Sequence, residues 1–249
     1  MSGHSKWHSI KHKKGAADAK RGRLFTRIIK ELTVAARAGG GDPDSNPRLR
    51  TVIADAKAAN MPADNIKRAI RRGTGEEPGV SYEEVTYEGY GPGGIALFIE
   101  VLTDNKNRAV GEIRHALTKH GGNLGSSNSV AWMFDKRGYI LVEQGEAEEE
   151  ALMTAAIDAG ADDFRDDAEN WEIISAPEVF DVVAEAVRGI GVEPTSAQVA
   201  MLPQNLVAVE GKQAQQLMKL LGALEDLDDV QNVWSNADIS EKEIEASLA

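Results

Sequence analysis

Apolar residues recur at helical spacing near the start of the chain, across residues 16–38. Stepped at 100° per residue, the apolar positions fall in one arc of about 140° and the basic positions in an opposite arc of about 100°. The apolar positions are Leu24, Phe25, Ile28, Ile29, Leu32, Ala35 and Ala36, and the basic ones are Lys20, Arg23, Arg27, Lys30 and Arg37. The pattern predicts an amphipathic helix with one packing face and one solvent-exposed cationic ridge.

Two shorter helices are predicted after this one. Asn46 and Pro47 suit the N-cap and first position of a helix, and Pro62 begins another that is predicted to end at Gly73. In this third helix the inward positions are Ile66, Ala69 and Ile70, and the outward positions are Lys67, Arg68, Arg71 and Arg72. Three amphipathic helices of this size predict a small bundle.

Beyond residue 80 the pattern changes to strands that alternate with helices. Residues 84–90 alternate in polarity and residues 95–102 are nearly all apolar, which predicts two strands joined by the turn Gly91-Pro92-Gly93-Gly94. A helix capped by Asn107 should follow, and then a hairpin of residues 130–134 and 139–143 around Lys136-Arg137-Gly138. The remaining predictions are helices at 148–159, 177–189 and 212–224 and strands at 171–175, 197–202 and 230–234.

This order of elements predicts an α+β protein of three domains. A basic N-terminal arm and three-helix domain covers residues 1–75. The strands and helix of residues 80–130 lack partners until the last helix and strand, within residues 205–238, complete them. Residues 131–204 would then close as a small α+β domain inserted in the second one. A linear order of domains is the competing interpretation.

Charge divides the chain at the same boundary. Residues 1–75 hold 17 Lys and Arg against 6 Asp and Glu, a net charge of +11, while the remainder holds 11 against 34, a net charge of −23. A basic segment on an acidic protein indicates a polyanionic partner such as nucleic acid. The acidic remainder should point away from phosphates or meet a protein.

Residues 1–14 carry charge and an aromatic ring but almost nothing apolar. They are predicted to be an arm that becomes ordered on binding, with lysines for phosphates and Trp7 for base stacking. A solvated tail without function is the alternative. The predicted nucleic-acid-binding residues are Lys6, Trp7, Lys11, Lys13, Lys14, Lys20, Arg23, Arg27, Lys30 and Arg37.

No membrane, redox or targeting signal is found. Cysteine is absent, which excludes disulfides and thiolate chemistry and fits the cytoplasm. The chain has no apolar run near 18 residues, the length that a membrane span requires, and no secretory signal pattern. Residues 2–4, Ser-Gly-His, would form a copper or nickel site at a free amino terminus, which we regard as incidental.

The sequence predicts no catalytic residues, no metal and no cofactor. It therefore predicts a protein that is not an enzyme. The glycine-rich stretch 89–94 lacks the Gly-Lys-Ser/Thr ending of a phosphate-binding loop, so a hairpin turn is favoured. His115 and His120 have no nucleophile elbow nearby. Two acidic groups lack EF-hand spacing and are interpreted as solvated turns: Asp226, Asp228 and Asp229, and Asp162, Asp163, Asp166 and Asp167.

Several motifs resemble the YebC family, which includes the mitochondrial translational activator of cytochrome c oxidase. They are Gly3-His4-Ser5-Lys6-Trp7, Gly39-Gly40-Gly41-Asp42-Pro43, Asn46-Pro47-Arg48-Leu49, Met61-Pro62, Asp64-Asn65-Ile66, residues 87–94, Asp104-Asn105-Lys106-Asn107-Arg108, and residues 224–226 and 228–233. The resemblance covers nearly the whole chain. It implies three domains and a regulator of gene expression, commonly labelled a probable DNA-binding transcriptional regulator, and it supplies no catalytic residues.

Three classes of function stay open at this point: a DNA-binding transcriptional regulator, an RNA- or ribosome-binding translation factor, and a scaffold that binds protein only. The sequence contains no standard recognition helix and no dimer element that would predict paired half-sites on DNA. Folded RNA, which is recognised by shape and stacking, suits the arm and the cationic ridge. The residues therefore favour structured RNA or the ribosome, whereas the family label favours DNA.

Overall fold

A computed structural model describes residues 17–167, 170–240 and 242–244, with side chains from residue 21 onward in those ranges. The first three helices are α1 (Ala17–Gly39), α2 (Pro47–Ala58) and α3 (Ala63–Thr74). Asn46 caps α2 as predicted, because its Oδ1 accepts a hydrogen bond from the Leu49 amide at 3.1 Å. Its Nδ2 donates to the carbonyl oxygens of Ala35 and Gly40 at 2.9 and 2.8 Å, so the same side chain fixes the end of α1 against the start of α2.

The three helices enclose a small apolar core. Its buried members are Ile28, Leu32, Ala35, Ala36, Leu49, Val52, Ala56, Met61, Ile66 and Ala69. Leu24 was expected inside but is exposed. Gly73 does not end α3, because the left-handed residue is Gly75, with φ of 84°. A Cβ on Gly73 would lie 2.4 Å from the Thr33 carbonyl oxygen, so this glycine allows α3 to approach α1 closely.

The rest of the chain mixes strands and helices, which confirms the α+β class. The first part contains β1 (Glu83–Tyr90), β2 (Ala96–Thr103), α4 (Lys106–Lys119) and β3 (Asn123–Leu124). Next come β4 (Phe134–Glu143), α5 (Glu149–Asp158), β5 (Ala161–Asp167), β6 (Asn170–Ser175), α6 (Phe180–Gly189) and β7 (Ser196–Pro203). The last elements are β8 (Val207–Ala208), α7 (Gly211–Glu225), β9 (Val230–Ser235) and β10 (Ala237–Asp238).

Two four-stranded sheets form from these strands. The first has the order β3-β1-β2-β9 and the second the order β5-β6-β4-β7, and both are antiparallel throughout. Strands β8 and β10 pair in parallel as a separate two-stranded sheet. Helices α4 and α7 supply buried residues to the core of the first sheet, and α5 and α6 to the core of the second.

The strand order supports the predicted division of the chain. Strand β9 returns from the end of the chain to pair with β2, and the second sheet is built only from strands that lie between them in sequence. We therefore propose a helical unit (residues 1–75), a second unit (80–130 with 205–238) and an inserted unit (131–204).

Three further local predictions were wrong. Lys136-Arg137-Gly138 lies inside the long strand β4, and residues 131–133 form a 3₁₀ turn, so no hairpin exists there. The acidic stretch 161–167, expected to be a solvated turn, is strand β5. Asn105 caps α4 in place of Asn107, since its Oδ1 accepts from the Arg108 amide at 3.1 Å.

None of the helices that the structure describes combines the length and apolar composition needed to cross a membrane.

Candidate nucleic-acid interface

The predicted cationic ridge of α1 faces the acidic second unit. Arg23 pairs with Asp226 at 3.3 Å, and Nη2 of Arg27 donates to the Glu225 carbonyl oxygen. Lys30 is buried, with 6% of its surface exposed. The expectation of a solvent-exposed ridge is therefore wrong for Arg27 and Lys30, because α1 packs on one side against its own bundle and on the other against the turn between α7 and β9.

Asp229, at the end of that turn, joins three elements in what we call the Asp229 cluster: Lys30, Thr103, Arg108 and Asp229. Its Oδ1 lies 2.6 Å from the Lys30 ammonium, and its Oδ2 accepts from Arg108 at 2.7 Å and from Thr103 at 2.8 Å. The Lys30 ammonium also donates to the Asp228 carbonyl oxygen at 2.8 Å. Asp229 is buried, so the prediction that it belongs to a solvated turn was wrong.

The cluster keeps Asp229 ionised. Burial by itself raises the pKa of the Asp229 carboxyl, but the hydrogen bonds from Lys30, Arg108 and Thr103 outweigh it, and the net pKa is lowered. Lys30 additionally lies 5.6 Å from the centre of the Tyr82 ring, a cation–π contact. The Asp104–Arg108 motif thus contacts the acidic motif near the end of the chain directly, through Arg108 and Asp229, and Lys30 of α1 binds the same carboxylate.

Nine cations with described side chains are exposed in the helical unit, and four of them lie together on α3. Lys67, Arg68, Arg71 and Arg72, here called the α3 cationic face, are all exposed. Arg71 pairs with Glu77 at 2.7 Å. The other three form no ion pair with any residue that the structure describes. Residues 67 and 71, and 68 and 72, are four apart, so they form two adjacent rows along the helix.

The remaining predicted binding residues are distributed as follows. Lys6, Trp7, Lys11, Lys13 and Lys14 lie outside the described residues, as does the side chain of Lys20. Arg37 is exposed and donates to Ser81 Oγ at 2.6 Å. The α3 cationic face was absent from the predicted site, although its helical spacing and its single acid, Asp64 in the first turn, were a usable signal.

Other candidate sites have structural explanations. Residues 92–94 are a 3₁₀ turn between β1 and β2, as the hairpin interpretation predicted. In the part of the chain that the structure describes, no three His, Asp or Glu side chains gather as a metal site would require. His115 and His120 line a groove between α4 and α7, with His115 exposed and His120 partly buried.

Comparison with known protein families identifies the family of this chain. A model described as "TACO1/YebC protein N-terminal domain" matches residues 5–76, and one described as "TACO1/YebC second and third domain" matches residues 82–237. The chain belongs to the TACO1/YebC family. The predicted resemblance is therefore confirmed over almost the full length.

Relatives within the TACO1/YebC family are named as regulators. A probable transcriptional regulatory protein of Acidobacterium capsulatum is 61% identical over 98% of both chains. Another, from Desulfosudis oleivorans, is 58% identical over 99% of this chain and 100% of its own. The crystal structure of a conserved hypothetical protein from Aquifex aeolicus is 47% identical, with a TM-score of 0.81, over 90% of this chain and 93% of that one.

Proposed function

We propose that this protein is a non-enzymatic regulator of gene expression that binds nucleic acid through its helical unit and acts on translation, with structured RNA of the ribosome as target. The names of its relatives support the broader description of a regulator. The observation that carries the proposal is the α3 cationic face, which has three exposed side chains without an ionic partner among the described residues.

The cations of α3 combine positive charge with access to solvent. Phosphate contacts need Lys or Arg side chains that are free to release counterions, and Lys67, Arg68 and Arg72 are exposed and unpaired within the described chain. Arg27 and Lys30 drop out of the proposed interface because they contact the second unit. Lys6, Trp7, Lys11, Lys13, Lys14, Lys20, Arg23 and Arg37 stay in it as proposed contacts.

The position of these cations favours backbone contact over base reading. A DNA recognition helix places its first residues against base edges. In α3 the first turn contains Asp64, an acid, and the basic residues come later. Such an arrangement suits the phosphates of a folded RNA, for which shape matters more than sequence.

A DNA-binding transcriptional regulator is the second candidate. The relatives' name favours it, and so does the short connection between α2 and α3, residues 59–62, which is the length found in helix-turn-helix units. On this alternative the helical unit would bind one duplex sequence tightly and bind RNA weakly.

The test uses the triple variant Lys67→Ala/Arg68→Ala/Arg72→Ala in the full chain. Its matched control is Lys136→Ala/Arg137→Ala/Arg165→Ala, which makes the same charge change in the inserted unit. Affinities for a structured RNA and for a DNA duplex are measured across a salt series. Each lost phosphate contact should reduce the slope of log affinity against log salt by about 0.7 to 0.9, so we expect the α3 variant to lose roughly 2 in slope and the control to lose none.

Two results would count against the proposal. Unchanged affinity and slope in the α3 variant would remove α3 from the interface. Tight binding of one DNA sequence at physiological salt, together with weak RNA binding, would favour the transcriptional alternative. Crosslinking of the intact protein in cells, followed by identification of the attached nucleic acid, distinguishes the two targets directly.

A further inference from the structure

Helices α4 and α7 leave a groove between them on the outside of the second unit, here called the α4–α7 groove. Its floor contains Ala116, Ala223 and Leu227, and its rim contains His115, Lys119 and His120, with Glu112 as the single acid. Gly111 also lines it, and a Cβ at this position would meet no heavy atom within 4 Å, so the groove is open at that side. The groove thus combines an apolar floor with a basic rim.

The basic groups at this groove form no ion pair with any residue that the structure describes. Five of the eleven cations beyond residue 75 do form ion pairs: Lys106, Arg108, Arg137, Arg165 and Arg188. Lys119 and Lys219 are exposed and form no ion pair with any described residue. Burial lowers the pKa of His120, and the charges of Lys119, Lys219 and His115 lower it further.

The positive surface extends along α7. Lys212 and Gln216 precede Lys219 at helical spacing, and all three side chains are exposed. The Gln216 amide nitrogen lies 3.9 Å from the position that a Cβ of Gly121 would occupy, so it is next to the glycine turn that follows α4. Lys219 lies four residues, about one helical turn, before Ala223, which lines the groove, so this row of polar side chains on α7 leads toward the groove.

We propose that the α4–α7 groove binds a single-stranded segment of RNA, which rests on the proposed function that the chain binds RNA. Lys119 and Lys219 would contact phosphates, and a base would lie on the apolar floor beside the His115 and His120 rings. Lysines without an ion pair complement the phosphates of a polyanion. Flat rings and an apolar floor complement a nucleic-acid base, whereas a simple anion would make no use of them. The acidic part of the protein then also contacts the nucleic acid, contrary to the expectation from its net charge.

The test compares Lys119→Ala/Lys219→Ala in the full chain with Lys136→Ala/Lys242→Ala. The control lysines are also exposed, form no ion pair with a described residue and lie on neither α4 nor α7. A short unstructured RNA oligonucleotide is the probe, and its affinity is measured across a salt series. Loss of two phosphate contacts should reduce the salt slope by about 1.4 on the single-strand scale, and the control should keep the slope of the unmodified protein.

A second readout separates this proposal from the function on which it rests. NMR signals of the His115 and His120 rings should shift when RNA is added to the variant that lacks Lys67, Arg68 and Arg72, and the shift should disappear in the groove variant. RNA binding that depends on α3 but leaves both imidazole signals and the groove variant's affinity unchanged would overturn the groove proposal alone. An equal shift with inorganic phosphate, or a shift with an acidic peptide but not with RNA, would also overturn it.

Discussion

Replacement of Asp229 by Asn tests whether the Asp229 cluster holds the helical unit against the second unit. The Asp229 side chain is 5% exposed and that of Lys30 is 7% exposed, so the pair is excluded from water. Asn keeps the size of the side chain and removes its negative charge, which leaves the Lys30 ammonium buried without a counterion. Removal of one partner of such a pair typically costs about 3 to 5 kcal/mol in the free energy of unfolding.

The contribution of Arg108 should be smaller. Its side chain is 44% exposed and it also contacts Asp104 at 2.7 Å, so water and that carboxylate remain available to it. The double variant Lys30→Met/Asp229→Asn removes the buried ammonium as well, and it should therefore recover much of the stability lost in Asp229→Asn. A coupling free energy of roughly 2 kcal/mol between the two positions is expected for groups in direct contact.

Thermal unfolding and amide hydrogen exchange measure this effect. At about 2 to 4 °C per kcal/mol for a chain of this size, Asp229→Asn should lower the Tm by roughly 10 °C. Exchange should increase along α1 and in the turn before β9. Because the pKa of Asp229 is lowered in the folded state, its stabilising effect is present above the unfolded-state pKa and is lost as the pH falls through the folded-state pKa. The variant should lack that part of the acid sensitivity.

Additive effects of the two substitutions would contradict a connecting role for the Asp229 cluster. If Asp229→Asn and Lys30→Met each cost less than about 1 kcal/mol, as exposed pairs do, and their effects simply add, the cluster does not connect the two units. Unchanged exchange along α1 in the Asp229→Asn protein would point to the same conclusion.

Two further substitutions test the packing of the separate units. Gly73→Ala should destabilise the helical unit by about 1 to 3 kcal/mol despite the better helix propensity of Ala, because its Cβ would lie 2.4 Å from the Thr33 carbonyl oxygen. In the control Gly22→Ala the new Cβ has nothing within 4 Å, so this variant should be neutral or stabilising. Circular dichroism melting measures both effects. Glu88→Gln should cost about 1 to 3 kcal/mol in denaturant unfolding. The Glu88 carboxylate accepts three backbone N–H groups of residues 128–131, each at 2.7 Å, and the amide nitrogen of Gln cannot accept them; a cost below about 0.5 kcal/mol would contradict this role.

Local sequence signals predicted most of the helices and strands because those signals act over a few residues. Asn46 before Pro47 predicted the start of α2, and the glycine turn predicted the link between β1 and β2. The prediction failed at Lys136-Arg137-Gly138 because Gly138 serves packing, not turning. A Cβ there would lie 2.3 Å from the Ser175 hydroxyl oxygen. Periodicity cannot distinguish a glycine required by a neighbouring side chain from one required by a turn.

The acidic strand β5 was missed for a related reason. It lies at the edge of its sheet, so it needs few apolar residues, and Phe164 is the main one, stacked on Trp171 with ring centres 5.4 Å apart. The helical pattern of α1 failed for a different reason to predict which cations are exposed. It separated polar from apolar positions correctly at Lys30, but the partner of Lys30 is 199 residues away in the sequence. Charge alone does not show whether a cation faces solvent or a carboxylate of the same chain.

The contacts of α1 change what the net charge of the helical unit means. Of its +11, the cations Arg27 and Lys30 are directed at the acidic turn, which occupies the place on this helix that a polyanion would otherwise take. The charge available for phosphates is therefore smaller than the sequence indicates, and the exposed cations of α3 contribute to it. Removal of a cation therefore has a different effect on each helix. Loss of a cation on α3 should weaken only nucleic-acid binding, whereas loss of Lys30 should weaken the attachment of the helical unit to the second unit. Measuring affinity and stability on the same set of variants distinguishes these two roles, since only the first should follow the salt dependence of binding.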